Sequence, residues 1–247
     1  MTLISQQNTA MTMLLLAVKL KVEGSLFINM EQIQKKFYED NYNEIVSESI
    51  FSLGHKYMHK KMESMKQDKK YRRILEIGVG LGEHRKYIED GDLIYGIDLL
   101  IHQNDISKSY LFTQGDAQKL PYRSNMFDRL IVTCLLHHLH NPIKALQEMK
   151  RVVKSQNGNK ITILVPCDPG IFYRISRLGI NFKLKKSNFN HDLIHYLEHQ
   201  NSYPAIDTAI KYVFGGEKIL VDYYPFRFKN WDLNIFSIYN IHFNDSF

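Results

Sequence analysis

Residues 76–82 read Glu76-Ile77-Gly78-Val79-Gly80-Leu81-Gly82, three glycines in five positions directly behind the apolar run Ile74-Leu75-Glu76-Ile77. A strand that ends this way must turn sharply. Gly78 permits the tight exit, Gly80 removes a Cβ where a ligand would approach the backbone, and Gly82 allows close passage into the next element. Residues 83–90 carry a helical pattern, so the spacing predicts strand, turn and helix, with the helix's first amides facing a ligand.

The same rhythm continues. Short apolar strands are expected over 94–99, 110–113, 130–135 and 161–165, and a helix over 143–153 with Ala145, Leu146, Met149 and Val152 on one face. Strands alternating with helices predict a parallel sheet. Residues 167–215 break the rhythm with aromatics and three spaced histidines, and 218–224 and 234–243 read as two closing strands, an antiparallel hairpin on the sheet edge. Ahead of the sheet, 30–70 read as a helical segment with Ile45, Ile50, Phe51, Leu53 and Tyr57 at helical spacing. The basic run 66–73 lacks aromatic or glycine interleaving and reads as a solvated linker. Met30 opens what looks like a natural start, so 1–29 are expected to be an extension, or else an element packing on the domain.

The turn's ligand can be narrowed by charge. A dinucleotide fingerprint wants its third glycine at position 83, which is Glu83, and a carboxylate there opposes a pyrophosphate. S-adenosylmethionine (SAM) has no phosphate and carries a sulfonium, and Glu76 just before the turn can attract its ammonium or order the loop. Asp98 ends its strand 20 residues after Gly78 and can accept both ribose hydroxyls. Gly115-Asp116-Ala117 offers a carboxylate and an amide to an adenine ring. Phe127-Asp128 leads into the fourth strand, followed by His137-His138-Leu139-His140-Asn141-Pro142, with Pro142 suited to a first helical turn.

Taken in order, ILEIGVGLG, YGIDL, GDAQKLPY, FDRLIVTCLLHHLHNP, ALQEMKRVVK and NGNKITILVP resemble the class I SAM-dependent methyltransferase family over roughly residues 72–166. The likeness is to its small-molecule branch, including quinone-biosynthesis methyltransferases. EHQNSYP and YYPFRFKNWDLNIFSIYNIHF more loosely resemble methyltransferases found with polysaccharide genes. The resemblance implies a Rossmann-like α/β fold: a seven-stranded, mostly parallel sheet, the last strand antiparallel, with helices on both faces and an inserted lid. It implies SAM as cofactor, S-adenosylhomocysteine (SAH) as product and no metal. It extends the cofactor set of Glu76, Gly78, Gly80, Gly82, Asp98, Asp116 and Ala117 to Val79, Leu99 and Cys134. Lys154-Ser155-Gln156-Asn157-Gly158 departs from the family's Lys-Pro-Gly-Gly, in a turn away from the cofactor.

His137 and His138 fall where the family places residues beside the methyl group, and either is a candidate proton acceptor, His138 ahead; the alternative is packing under the sheet edge. His191, His195 and His199 recur every four residues and share a helix face. No HExxH-type carboxylate accompanies them, so a lid-facing stripe is expected rather than a metal site. That face would meet the acceptor, with His199, Asn201 and Tyr203 foremost. Phe172, Tyr173, Phe182 and Phe189 would floor an acceptor pocket or form the insertion's own small core.

Composition excludes little more. Apolar residues at 44% and charged residues at 23% rule out a disordered chain or a coiled-coil rod. A net charge of +6 permits an anionic partner without demanding one. Two cysteines, Cys134 and Cys167, cannot form a disulfide framework and suggest free thiols in a reducing, cytoplasmic setting. No apolar run reaches 18 residues. The expected function is methyl transfer to a small-molecule or glycan hydroxyl in surface polysaccharide biosynthesis. Quinone, lipid or RNA acceptors, or a noncatalytic SAM-binding subunit, are the alternatives. No nucleic-acid partner is expected, and a homodimer stays open.

Overall fold

Alternation along the central strands decides where the core lies. In β1 (Arg73–Ile77), Leu75 and Ile77 point to one side, Ile74 and Glu76 to the other. In β4 (Arg129–Thr133), Leu130 and Val132 face the first side and Ile131 the second. Every residue of β5 (Lys160–Pro166) is buried, as a strand covered on both faces must be.

The computed structural model describes residues 49–64, 70–88, 93–99, 110–184 and 191–244. The chain divides into units 1–52 and 53–247, and the fold described is that of the second. The expected extension over 1–29, and Ile45 in the helical segment, lie outside the described residues.

With β2 (Leu93–Asp98), β3 (Leu111–Gln114), β6 (Lys218–Tyr224) and β7 (Phe236–His242), the sheet has seven strands in the order β3-β2-β1-β4-β5-β7-β6. Strands β1 to β5 are parallel, and β7 runs antiparallel between β5 and β6 with Leu164 opposite Ile238 and Val221 opposite Tyr239. The expected sheet and closing hairpin are both present.

Helix α1 (Ser49–Ser64) sets Met62 against Ile74, Ile131 and Leu164 on the second side. Helix α2 (Pro142–Val152) covers the first. Asn141 caps it by accepting from Lys144 N at 3.0 Å, Pro142 sits in its first turn, and it buries Ala145, Leu146, Met149 and Val152, the stripe read from the sequence. Burying side chains of this size contributes about 1.5–3 kcal/mol each.

Two expectations need correction. Of the helix expected over 83–90, residues 83–88 are described and are not α-helical; Glu83–Tyr87 is one short 3₁₀ turn. Gly82 is left-handed at its start, His84 is drawn inward to Glu63 and His59, and Ile88 leaves in an extended conformation. No row of helix amides therefore faces the glycine turn. The insertion also ends before 215. Helices α3 (Ile171–Leu184) and α4 (His191–Glu198) belong to it, but α5 (Tyr203–Phe214) buries Ile206, Ala209, Ile210 and Phe214 in the core that holds α2, because the chain needs a crossover from β5 to the parallel β6.

Candidate functional site

The carboxyl ends of β1, β2, β4 and β5 meet at one edge of the sheet, where open α/β sheets bind ligands. At β1 the chain enters the glycine turn with φ of 76°, 53° and 74° at Gly78, Gly80 and Gly82, values a side chain makes costly. A Cβ at Gly78 would lie 3.2 Å from Leu135 Cδ1, so the turn runs directly against the segment leaving β4. Gly78 N donates to Ile97 O at 2.9 Å, and Gly80 N donates to Asp98 Oδ2 at 2.8 Å. Asp98 therefore pins the turn, besides standing where a ribose would lie.

The remaining cofactor candidates divide. Glu76 is buried and accepts from the Tyr110 hydroxyl. Burial pushes its carboxyl up to about 7, against the pull of His84 and Tyr110, so it orders the loop from within. Val79 is 4% exposed and packs on Tyr110, so its side chain supports the turn and does not line it. Leu99, 64% exposed, leaves an apolar side chain at the end of β2. Asp116 accepts from Gln118 N at 2.8 Å in a tight turn, and Ala117 is buried beneath it. Cys134 is left-handed at φ 51° where β4 ends, and burial pushes its thiol up to about 12, too high for a nucleophile at neutral pH. Half-exposed glycines, an anchoring carboxylate and an exposed apolar side chain fit a nucleoside without phosphates.

Asp128, in the Phe127-Asp128 motif, lies at the other end of the sheet. It accepts from Arg72 N and Arg73 N at 3.0 and 2.9 Å and pairs with Lys154, fixing where β1 begins.

Beyond the segment that leaves β4, six side chains converge. His137 is 4% exposed, and its Nδ1 has no hydrogen-bond partner. Burial and the neighbouring imidazoles hold it neutral, well below the ordinary histidine range. His138 is half-buried, with Nδ1 3.0 Å from the Glu198 carbonyl and 3.2 Å from its carboxylate. His199 Nδ1 lies 2.7 Å from Asp168 Oδ2. His195 Nε2 lies 3.1 Å from the same oxygen but out of line for a hydrogen bond. The rings of His137 and His199 are 4.4 Å apart, and those of His195 and His199 4.0 Å.

Sequence reasoning placed His137, His138 and His199 here but missed Asp168, His195 as its neighbour, and Glu198. Asp168 had a signal: it sits two residues beyond β5, at the carboxyl end of a central strand. Asn201 and Tyr203, expected at the acceptor, are structural. Asn201 Nδ2 donates to Leu139 O at 2.6 Å, clamping the insertion to the histidine loop, and the buried Tyr203 hydroxyl contacts that of Tyr239 at 2.6 Å. Phe172 packs edge-on against Phe226, and Tyr173 stands near His199; the Phe182 side chain and Phe189 lie outside the described residues.

Comparison with known proteins agrees with this geometry. Residues 75–157 match the family described as a methyltransferase domain. The ubiquinone/menaquinone biosynthesis C-methyltransferase of Coxiella burnetii is 33% identical over 107 residues, covering 37% of this chain and 42% of that protein. An uncharacterized protein of Methanocaldococcus jannaschii is 30% identical over 129 residues, covering 51% of this chain and 57% of its own length. The chain thus spans about two fifths to three fifths of these relatives. In fold it is similar to a SAM-dependent methyltransferase of Thermotoga maritima described as a possible histamine N-methyltransferase (TM-score 0.57, 18% identity, 86% of this chain and 99% of that one). It is also similar to the plantazolicin methyltransferase BpumL, solved with SAH (TM-score 0.59, 14% identity, 86% and 95%). The order of the sheet and these matches make the chain similar to class I SAM-dependent methyltransferases, in sequence over residues 75–157 and in fold over most of its length.

Proposed function

We propose that this chain transfers a methyl group from SAM to a hydroxyl of a small molecule or glycan. The observation that carries the reading is a glycine turn pinned by Asp98 and running against Leu135, two residues before the histidine–carboxylate cluster. SAM supplies a methyl group already activated on a sulfonium. The protein's share is alignment and proton removal. The turn, Asp98 and Leu99 hold the nucleoside, with Asp116 and Ala117 towards the adenine. His138 accepts the hydroxyl proton: a carbonyl only accepts, so Nδ1 carries the hydrogen that faces Glu198 O, and Nε2 carries the lone pair. His199, Asp168 and Tyr173 line the approach. Two unpaired cysteines, one buried, fit a reducing cytoplasmic location. Among the described residues no helix is long and apolar enough to cross a membrane.

A second reading, methylation of a quinone-type ring, is favoured by the names of the curated relatives. Labelled SAM incubated with fractionated cell extract separates the two. Label in the polysaccharide or sugar fraction supports the first reading, and label confined to the quinone fraction supports the second. Label in neither, with SAM binding intact, contradicts both.

A further inference from the structure

We propose that Asp168, His195 and His199 form a binding site for a divalent transition-metal ion at the acceptor side of the cleft. The inference rests on the methyl-transfer reading only for the ion's role.

The three donors come from two places: Asp168 from the turn after β5, and His195 and His199 one helical turn apart at the end of α4. All three donor atoms lie within 4.8 Å of one another. Asp168 Oδ2 is 2.7 Å from His199 Nδ1 and 3.1 Å from His195 Nε2. Bonds of about 2.1 Å set donors about 3.0 Å apart around a six-coordinate ion and about 3.4 Å around a four-coordinate one. Both distances to Asp168 lie within a few tenths of an ångström of the six-coordinate value.

A further observation favours a shared ion over a plain hydrogen bond. His195 Nε2 is buried within reach of the carboxylate and yet makes no aligned hydrogen bond to it. An atom centred among the three donors would satisfy it. On binding, the His199 ring proton moves from Nδ1 to Nε2, and the Nδ1 lone pair faces the ion.

The overlapping set His137, His138 and His199 is the weaker choice. It supplies no carboxylate to offset the charge, and His138 Nδ1 is engaged by Glu198. Two imidazoles with one carboxylate favour zinc, iron, manganese or nickel over calcium, and leave positions open for a hydroxyl oxygen. An ion there would polarise an acceptor hydroxyl beside His138.

The test uses the full chain without an affinity tag, stripped by chelation and titrated with cobalt(II) by visible absorption, with zinc in competition. Saturation at one ion per chain, with a dissociation constant of about 1 μM or tighter, is expected. His195→Ala and Asp168→Asn should each weaken it at least about tenfold, and His138→Ala should leave it unchanged. His195 is half-buried, so its variant stays informative if Asp168→Asn fails to fold; thermal melting reports which variants do. No cobalt band up to about 1 mM, or wild-type affinity in folded His195→Ala, overturns the site. Loss in His138→Ala with retention in His195→Ala overturns the ligand assignment. SAM calorimetry on the same samples keeps the two readings apart: SAM bound without cobalt ends only the metal site, and cobalt bound without SAM ends only the methyltransferase reading.

Discussion

The glycine turn takes its shape from residues 78–82 and one carboxylate 18 positions from Gly80, while the histidine cluster is gathered from residues 137–138, 168 and 195–199. The turn works through backbone: left-handed glycines, and amides held by Ile97 O, Val79 O and the Asp98 carboxylate. The cluster works through side chains whose partners are set by an inserted segment. A cofactor common to many reactions suits the first construction, and an acceptor particular to one suits the second. The two meet at Leu135, where a Cβ on Gly78 would touch.

This contrast can be broken at either end. Gly80→Arg carries the largest expected effect: SAM binding lost in calorimetry, with a native circular dichroism spectrum. Unchanged affinity would remove the turn from the cofactor site. Next is Glu63→Gln, which asks whether the turn is as local as it looks. Glu63, in α1, takes Arg129 in a two-point pair at 2.9 and 2.7 Å and holds His84 just beyond the turn at 2.9 Å. Removing its charge leaves Arg129, 1% exposed, uncompensated, at a cost of about 3–5 kcal/mol in denaturant unfolding. Burial raises the Glu63 carboxyl, but hydrogen bonds from His84 and Arg129 outweigh it and lower it to about 2. A depressed folded value stabilises above the unfolded value of 4.5, so this contribution is lost as pH falls from there towards 2. A variant as stable as wild type at neutral pH, or one that loses as much stability as wild type across that window, would show the pair to be dispensable.

On the acceptor side, His138→Ala should lower turnover about 100-fold or more while SAM affinity holds. A wild-type rate would return His138 to packing. Asp98→Ala has the smaller effect, weakening SAM about 10- to 100-fold through loss of charge-assisted hydrogen bonds. Equal binding would mean that Asp98 only pins Gly80.

The cofactor half was legible because its geometry is contiguous: a strand, three glycines and a carboxylate at the next strand's end can be read in order. The stripe on α2 was legible because helical period and burial coincide at Ala145, Leu146, Met149 and Val152. The short 3₁₀ turn was not, because the pull of Glu63 and His59 on His84 comes from another element. Asp168 beside His199 was not either: their separation of 31 residues carries no periodicity, and only the insertion's path brings them together. Tyr203 showed the reverse failure, an apparent lid aromatic that the fold spends on its core.

Isothermal titration of the purified full chain with SAM, SAH and NAD tests the central claim most directly. The account predicts binding heat with SAM and SAH at one site per chain, lost in Gly80→Arg, and none with the dinucleotide. Heat with NAD alone would contradict it.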